Sequence, residues 1–386
     1  MSRPSGALSG LDRLLADRTA LARLAAARVG LLSNDACRTA GGVPAAVALA
    51  RALPAGAGAG LRHLFAPEHG PRAAAAAGEA VDDTTDGATG LPVASLYGPR
   101  RAPPAAALAA IDVLVIDLRD VGVRCYTYAA TAALAAQAAL AAGREVVICD
   151  RANPQGPAVA GPARAAGLAS FLAFFDVPFV HGRTLAGLVT ASLPDGARVT
   201  VMPAGPGAPG ADHVPPSPAL ATRAALALYP GLVLLEATNV CEGRGTPLPF
   251  EIAAAPWLDG AALAQAAHGW PEAVPAQAIE IVPHSGPWAG QRCGGVRFGS
   301  PGCDAAGVFA FGARLLDWLA RQPGFRWRDG ALPGGARPGG DSAPRSVPAI
   351  DVLLGDAALR RAIETGGDID VLLTRWRQDA SGVPST

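Results

Sequence analysis

The sequence predicts an α/β protein in which a doubly wound lobe, built on a mainly parallel sheet, is followed by a smaller C-terminal α+β lobe. Three observations carry this expectation. Short continuous apolar runs rich in β-branched residues alternate with stretches of helical length; the alternation changes character near residue 245; and 386 residues are more than one hydrophobic core usually fills. A run that is apolar at every position is the mark of a strand covered on both faces, and such strands belong to parallel sheets with helices on either side.

Taken in order, the runs Val29–Ser33, Leu61–Phe65, Val113–Asp117, Val146–Asp150, Val199–Met202 and Leu232–Glu236 read as strands. Between them, Val43–Leu53, Pro103–Ala110, Tyr126–Ala142, Thr184–Leu193 and Ala219–Leu228 have helical length and composition. Alanine is so abundant that pattern outranks helix propensity throughout. Beyond residue 245 the expected elements are a helix at Gly260–His268, strands at Ile279–Val282 and Gly294–Phe298, and an amphipathic helix at Asp304–Arg321. Gly330–Pro348, dense in Gly and Pro, reads as a long surface loop, and Ile350–Trp376 as two short helices. The domains are accordingly set at 1–245 and 246–386.

Acids and bases balance at 32 each, every base is arginine, and no block of like charge occurs, so nucleic acid is not an expected partner. The six cysteines form no Cys-x-x-Cys pair and read as reduced thiols of a cytosolic protein. Leu11-Asp12-Arg13 interrupts what would have to be the apolar core of an export signal, which leads to the same cytoplasmic expectation. The most apolar stretch, Tyr126–Ala142, contains Gln137 and ends at Gly143-Arg144-Glu145, which fits a packed helix better than a membrane span.

Ligands of open α/β sheets collect beyond the carboxyl ends of the strands, and polar clusters follow four of the expected strands. They are Pro67-Glu68-His69-Gly70; Asp120-Val-Gly-Val-Arg124-Cys-Tyr126-Thr127-Tyr128; Asp150-Arg151-Ala-Asn153-Pro154; and Thr238-Asn239 with Glu242-Gly-Arg244-Gly-Thr246. Each also has a structural reading. Glu68 could cap a following helix and His69 sit in the core; Asp120 and Arg124 could form an ordinary ion pair; Asp150 and Asn153 could bond the backbone of a turn. In the functional reading Glu68 and Glu242 act as acid and base or nucleophile, while Arg124, Arg244 and Asn239, among flexible glycines, hold polar groups of a substrate. Glycoside hydrolysis uses such a carboxyl pair.

Other chemistries leave fewer traces. Asn34-Asp-Ala-Cys37-Arg-Thr-Ala-Gly41-Gly42 follows the first strand without a Gly-x-Gly-x-x-Gly, so no nicotinamide or flavin cofactor is expected. No Walker loop, nucleophile elbow or His-Glu-x-x-His is present. Glu68, His69 and Asp120 lack a recognisable metal-ligand spacing.

The motifs resemble, in order along nearly the whole chain, the NamZ-type exo-β-N-acetylmuramidases of bacterial cell-wall recycling. The resemblance is carried by Leu64-Phe-Ala-Pro-Glu-His-Gly70, Gly78-Glu79, Thr89-Gly-Leu-Pro-Val93, Ser95-Leu-Tyr-Gly98, Asp120 to Tyr128, Asp150 to Pro154, Pro216-Ser217-Pro218, Tyr229-Pro-Gly231 and Glu236 to Thr246 with Pro249-Phe-Glu251. It implies a Rossmann-like lobe beside an auxiliary lobe, a cleft between them, and release of N-acetylmuramic acid from the non-reducing end of peptidoglycan fragments without metal or cofactor. It further implies Glu68, with His69 and Glu242, as catalytic residues, and Asp120, Arg124, Tyr126, Arg151, Asn153, Ser217, Asn239, Arg244 and Thr246 as substrate-binding residues. An arginine has an obvious partner in the lactyl carboxylate of muramic acid.

Three positions depart from the family pattern. Ala219 stands where Asn usually follows Pro-Ser-Pro, Gly187 where a Glu is common, and Ala204-Gly-Pro-Gly-Ala-Pro-Gly replaces a basic-aromatic motif. The first two keep open a different amino-sugar β-glycoside as substrate. A third reading is a non-catalytic muropeptide-binding protein. The expected partner is a small carbohydrate, with a homodimer left open and no membrane involved.

Overall fold

The apolar runs pair with one another as expected. In the computed structural model, which describes residues 8–54, 56, 58–205, 214–332 and 345–381, they form a seven-stranded sheet. Arg28–Leu32 lies inside it, paired in parallel with Gly60–Ala66 on one side and Val113–Ile116 on the other. Pro92–Ser95 extends the sheet beyond Gly60–Ala66, and Glu145–Cys149 followed by Val199–Met202 extends it beyond Val113–Ile116, all in parallel. Only Thr84–Thr85, at one edge, is antiparallel. Numbered along the chain, the parallel strands stand in the order 3-2-1-4-5-6, which is the Rossmann arrangement. The direction in which successive strands are added reverses between the first and fourth strands, the point at which the loops leaving such a sheet diverge and leave a crevice at the carboxyl ends.

Pro92–Ser95 was not among the expected strands. It is four residues long and opens on Pro92, a residue tolerated only at the start or edge of a strand. The helices Ala45–Ala52, Ala105–Ala109, Thr127–Ala141 and Leu185–Ala191 fall inside the segments read as helical. Thr127–Ala141 is buried around most of its circumference, which its alanines permit at close range. Two N-terminal helices were not anticipated, and local capping explains both. Ser9 and Asp12 form a reciprocal capping box on Gly10–Ala16, and the Asp17 carboxylate accepts from the N–H groups of Thr19 and Ala20 at the start of Arg18–Ala25.

The described residues divide into two compact units. One contains residues up to Gly122, Tyr126–Gly156 and Arg183–Pro218; the other contains Val123–Cys125, Pro157–Gly182 and the chain from Ala219 onward. The expected boundary at 245/246 therefore falls inside the second unit. The run Leu232–Glu236 explains part of this, because it is not a strand. Leu232 ends the helix Arg223–Leu232, and Val233–Ala237 is a 3-10 helix. A wholly buried apolar run has no periodicity by which strand and helix can be told apart, and Val233, Leu234 and Leu235 have no exposed surface.

Within the second unit, Cys293–Phe298 is the middle strand of a three-stranded antiparallel sheet, flanked by Ile252–Ala255 and Ala276–Ile281. The helices Gly260–His268 and Ala305–Ala320 match expectation, each capped by the aspartate before it. Gly330–Pro348 is not a loop at its ends: Asp329–Leu332 pairs antiparallel with Arg345–Pro348, and residues 333–344 lie outside the described residues. The tail makes three helices, Ala349–Leu354, Ala358–Thr365 and Ile369–Ser381, because left-handed Gly355 and Gly366 stop the first two. Most of the segment Ala204–Gly210 is likewise outside the described residues. Among the described residues no helix is long and apolar enough to cross a membrane.

Helices Arg223–Leu232 and Ala305–Ala320 approach through Gly231 and Gly312: a Cβ added at Gly312 would lie 2.5 Å from the Cα of Gly231. Gly312→Ala should therefore destabilise this unit by about 1–3 kcal/mol. The measurement is a urea transition followed by circular dichroism. An unchanged midpoint would show that the two helices can part without cost.

Candidate active site

Strand Gly60–Ala66 runs directly into the turn Pro67–Gly70, closed by the Gly70 N–H donating to the Pro67 carbonyl at 3.1 Å. His69 has φ 68° and Gly70 φ 71°, two consecutive left-handed residues. For a residue with a side chain this costs about 1 kcal/mol or more and persists only where the surroundings enforce it. Here the His69 carbonyl accepts from the N–H groups of Ala74 and Ala75, and Ala73 is again left-handed at φ 53°. The alanine-rich stretch that follows cannot wind into a helix. Glu68 therefore caps no helix of its own.

Its side chain turns instead to a helix from a later part of the chain. The Thr127 hydroxyl, on the first residue of Thr127–Ala141, donates to Glu68 Oε2 at 2.7 Å, and the Gly78 N–H donates to Oε1 at 2.9 Å. Beside it, His69 Nδ1 lies 2.7 Å from the Ala75 carbonyl. A carbonyl can only accept, so Nδ1 carries a proton and donates to it, which fixes the direction in which Nε2 points. The Tyr128 hydroxyl is within hydrogen-bond reach of the carbonyls of Glu68 (3.2 Å) and Pro216 (3.0 Å) and accepts from Asn34 Nδ2 at 2.9 Å. Burial pushes the Tyr128 phenol well above its ordinary value, so it stays a neutral hydroxyl. Asn34, Glu68 and Tyr128 follow the first, second and fourth parallel strands, the neighbours at the reversal point.

The other expected residues of this unit serve mostly one another. Arg151 grips Asp117 with two hydrogen bonds, at 2.7 and 2.8 Å, and donates to the Arg38 carbonyl. Asp117 is completely buried, so this is an internal ion pair rather than an arginine offered to a ligand. Asp120 accepts from the Gly122 N–H at 3.0 Å, and Asn153 accepts from Gln155 N–H while donating to the Arg183 carbonyl. Asn153 is a turn residue, as its structural reading allowed, while Asp120, read structurally as an ion-pair partner of Arg124, accepts from the backbone of its own turn. Gly122 is required between them: its Cβ would meet Asn153 Oδ1 at 2.3 Å. Tyr126 stacks obliquely on Tyr128 with ring centroids 4.6 Å apart, and Ser217 is buried beside the Pro216 carbonyl.

In the second unit several of the expected residues engage the protein's own backbone and side chains. Arg124 is 3% exposed and donates to the carbonyls of Pro162, Val177 and Leu354. Burial pulls its guanidinium down to about 10. Asn239 clamps the backbone in both directions, donating to the Gly324 carbonyl and accepting from the Arg326 N–H. Thr246 closes its own turn through the Gly243 carbonyl and the Leu248 N–H. This cluster follows a 3-10 helix, not a strand, and its glycines are conformational requirements instead of loose joints: a Cβ at Gly243, φ 104°, would lie 2.0 Å from the Leu248 carbonyl oxygen. Arg244 donates to Glu242 at 2.9 Å and to Glu236, with its guanidinium 4.7 Å from the centre of the Phe250 ring. Burial opposes its charge, yet the two carboxylates, Glu236 foremost, raise it above its ordinary value.

Asn34, Thr127, Tyr128, Asp117 and Glu236 were not singled out from the sequence. Four of them lie within or beside the quoted motifs, and the usable signal was hydroxyls at the start of a helix that follows a strand. Glu68, His69 and Asp120 do not assemble a ligand set; among the described residues no group of three or more His, Cys, Asp or Glu is placed to hold a metal ion.

Arg124→Lys tests whether that arginine serves the fold or a substrate. A lysine cannot reproduce the fork that reaches three carbonyls, and each carbonyl left unpaired should cost about 1–3 kcal/mol. The expected result is a lowered unfolding midpoint with substrate KM changed less than about threefold; a large rise in KM at unchanged stability would return Arg124 to substrate binding.

The chain is 37% identical over 262 residues to the peptidoglycan beta-N-acetylmuramidase NamZ of Bacillus subtilis (strain 168), a match covering 65% of this chain and 62% of that relative. Two crystal structures of DUF1343 family proteins from Bacteroides fragilis NCTC 9343 are similar over 98% of this chain. One matches with TM-score 0.80 at 23% identity over 97% of its own length, the other with TM-score 0.72 at 26% identity over 96%. The models for exo-beta-N-acetylmuramidase NamZ match residues 29–205 with the N-terminal part and residues 227–382 with the C-terminal part. Those two matches span most of the sequence, and the chain belongs to the NamZ family.

Proposed function

We propose that this chain is a glycoside hydrolase that releases N-acetylmuramic acid from the non-reducing end of peptidoglycan fragments, with Glu68 as the carboxyl group that acts on the glycosidic bond. The observation that carries the proposal is the hold on Glu68. A carboxylate at the reversal point of a Rossmann sheet is oriented through both oxygens, by Thr127 and Gly78, with the His69 ring next in the chain. Such a group can transfer a proton to or from the glycosidic oxygen or attack the sugar, and both routes need a carboxyl held in one place. Glu242 is ion-paired with Arg244, and the reading rests on Glu68.

Membership of the NamZ family supports the substrate class, and the name of the Bacillus subtilis relative supports the β-linkage to muramic acid. No cofactor or metal is part of the proposal. A cytoplasmic setting belongs to it, supported by six cysteines that are free thiols, five of them buried.

The test is release of sugar from a chromogenic β-glycoside of N-acetylmuramic acid. Wild-type protein should release it, and Glu68→Gln should lower kcat at least about a hundredfold with the fold intact. Wild-type turnover by Glu68→Gln, or no turnover by the native chain on any muramic acid glycoside, would contradict the reading.

A further inference from the structure

We infer that Thr127 is the positioning residue for Glu68, setting its carboxylate in the orientation that turnover needs; the inference rests on the muramidase reading above. Glu68 is held at three points. Its Oε1 accepts from the N–H of Gly78, its Oε2 from the hydroxyl of Thr127, and its main-chain carbonyl lies within hydrogen-bond reach of the hydroxyl of Tyr128. Gly78 sits in a stretch, Ala77–Ala80, that is exposed to solvent. The contact from Thr127 comes from a helix of 15 residues whose first turn is buried. Consecutive residues of one rigid element thus grip the carboxylate and the backbone of the same glutamate.

Helix capping does not explain the Thr127 hydroxyl. The N-cap residue is Tyr126, the helix has no side-chain cap, and Thr127 Oγ1 points to Glu68 instead of a backbone N–H of its own first turn. Threonine is suited to this task for a reason the geometry makes plain. A β-branched side chain has few χ1 choices in a helix, so the direction of its hydroxyl follows the direction of the helix. With Thr127 6% exposed and Glu68 8% exposed, little water is available to take over the bond. Removing the donor leaves the carboxylate tied only to the Gly78 N–H, free to turn about its remaining torsions. Misplacement of a reacting group by about 1 Å can cost on the order of a hundredfold in rate.

Thr127→Val replaces the hydroxyl with a methyl of similar size, and Thr127→Ser keeps the hydroxyl. On the chromogenic muramic acid glycoside, Thr127→Val should lower kcat by about ten- to a hundredfold with KM within about twofold, because the lost interaction acts on the reacting carboxylate and not on sugar binding. Thr127→Ser should recover kcat to within about fivefold of wild type. In a Glu68→Gln background, Thr127→Val should lower the residual rate no further, since a residue that acts through Glu68 has nothing left to position. An unchanged kcat in Thr127→Val, or an equal loss in Thr127→Ser, overturns the inference, as does a further loss in the double variant. If Glu68→Gln is inactive while Thr127→Val turns over at the wild-type rate, this inference fails and the muramidase reading stands; if Glu68→Gln itself turns over normally, both fall.

Discussion

Two left-handed residues, His69 and Gly70, decide where the carboxylate can lie. A strand leaving the carboxyl edge of a parallel sheet ordinarily passes through a short loop into its own helix. Here the reversal at φ 68° and 71° breaks that connection, and Glu68 is engaged by the helix that follows a different strand. The carbonyl beside the strained residue is reached by Tyr128, and Tyr128 is in turn held by Asn34. Residues following three adjacent strands, the second, first and fourth, are thereby joined at the crevice that the Rossmann order creates. The strain at His69 is sustained by these bonds and by the Ala74 and Ala75 N–H groups that the His69 carbonyl receives.

The second unit uses its polar residues differently. Arg124 serves three carbonyls, Asn239 ties the backbone near Gly324 and Arg326, and Arg244 lies between two carboxylates against an aromatic ring. Arg124 and Asn239 tie together segments distant in sequence, whereas Arg244 fastens its own loop; removing one partner of a buried group such as Arg124 leaves the other without compensation. In the Glu236-to-Thr246 motif the glycines, the threonine and the ion triad all specify one loop conformation.

Much of the fold was legible because strands buried on both faces write themselves as continuous apolar runs. The same property failed at Leu232–Glu236, where a buried helix end writes an identical run and nothing in the local pattern distinguishes the two. Gly355 and Gly366 marked helix ends that a periodicity reading of the tail passed over. At the site, Glu68 and His69 stood out because polar residues immediately after a buried strand are conspicuous. Thr127 and Asn34 did not, since a hydroxyl or amide acquires its meaning only from a partner dozens of residues away. The partners of the arginines were hidden for a related reason. Residue type signals an anion partner, but Arg124 finds carbonyls and Arg151 finds the buried Asp117, and neither pairing has a sequence signature.

The central claim is that Glu68 is the carboxyl group that meets the glycosidic bond. A crystal structure of the chain with a non-hydrolysable thio-linked muramic acid disaccharide tests it most directly. The account predicts a Glu68 carboxyl oxygen within about 3–3.5 Å of the linking sulfur or the anomeric carbon, with Thr127 still donating to the other oxygen. A disaccharide bound with its linkage far from Glu68 and against another carboxylate would contradict it.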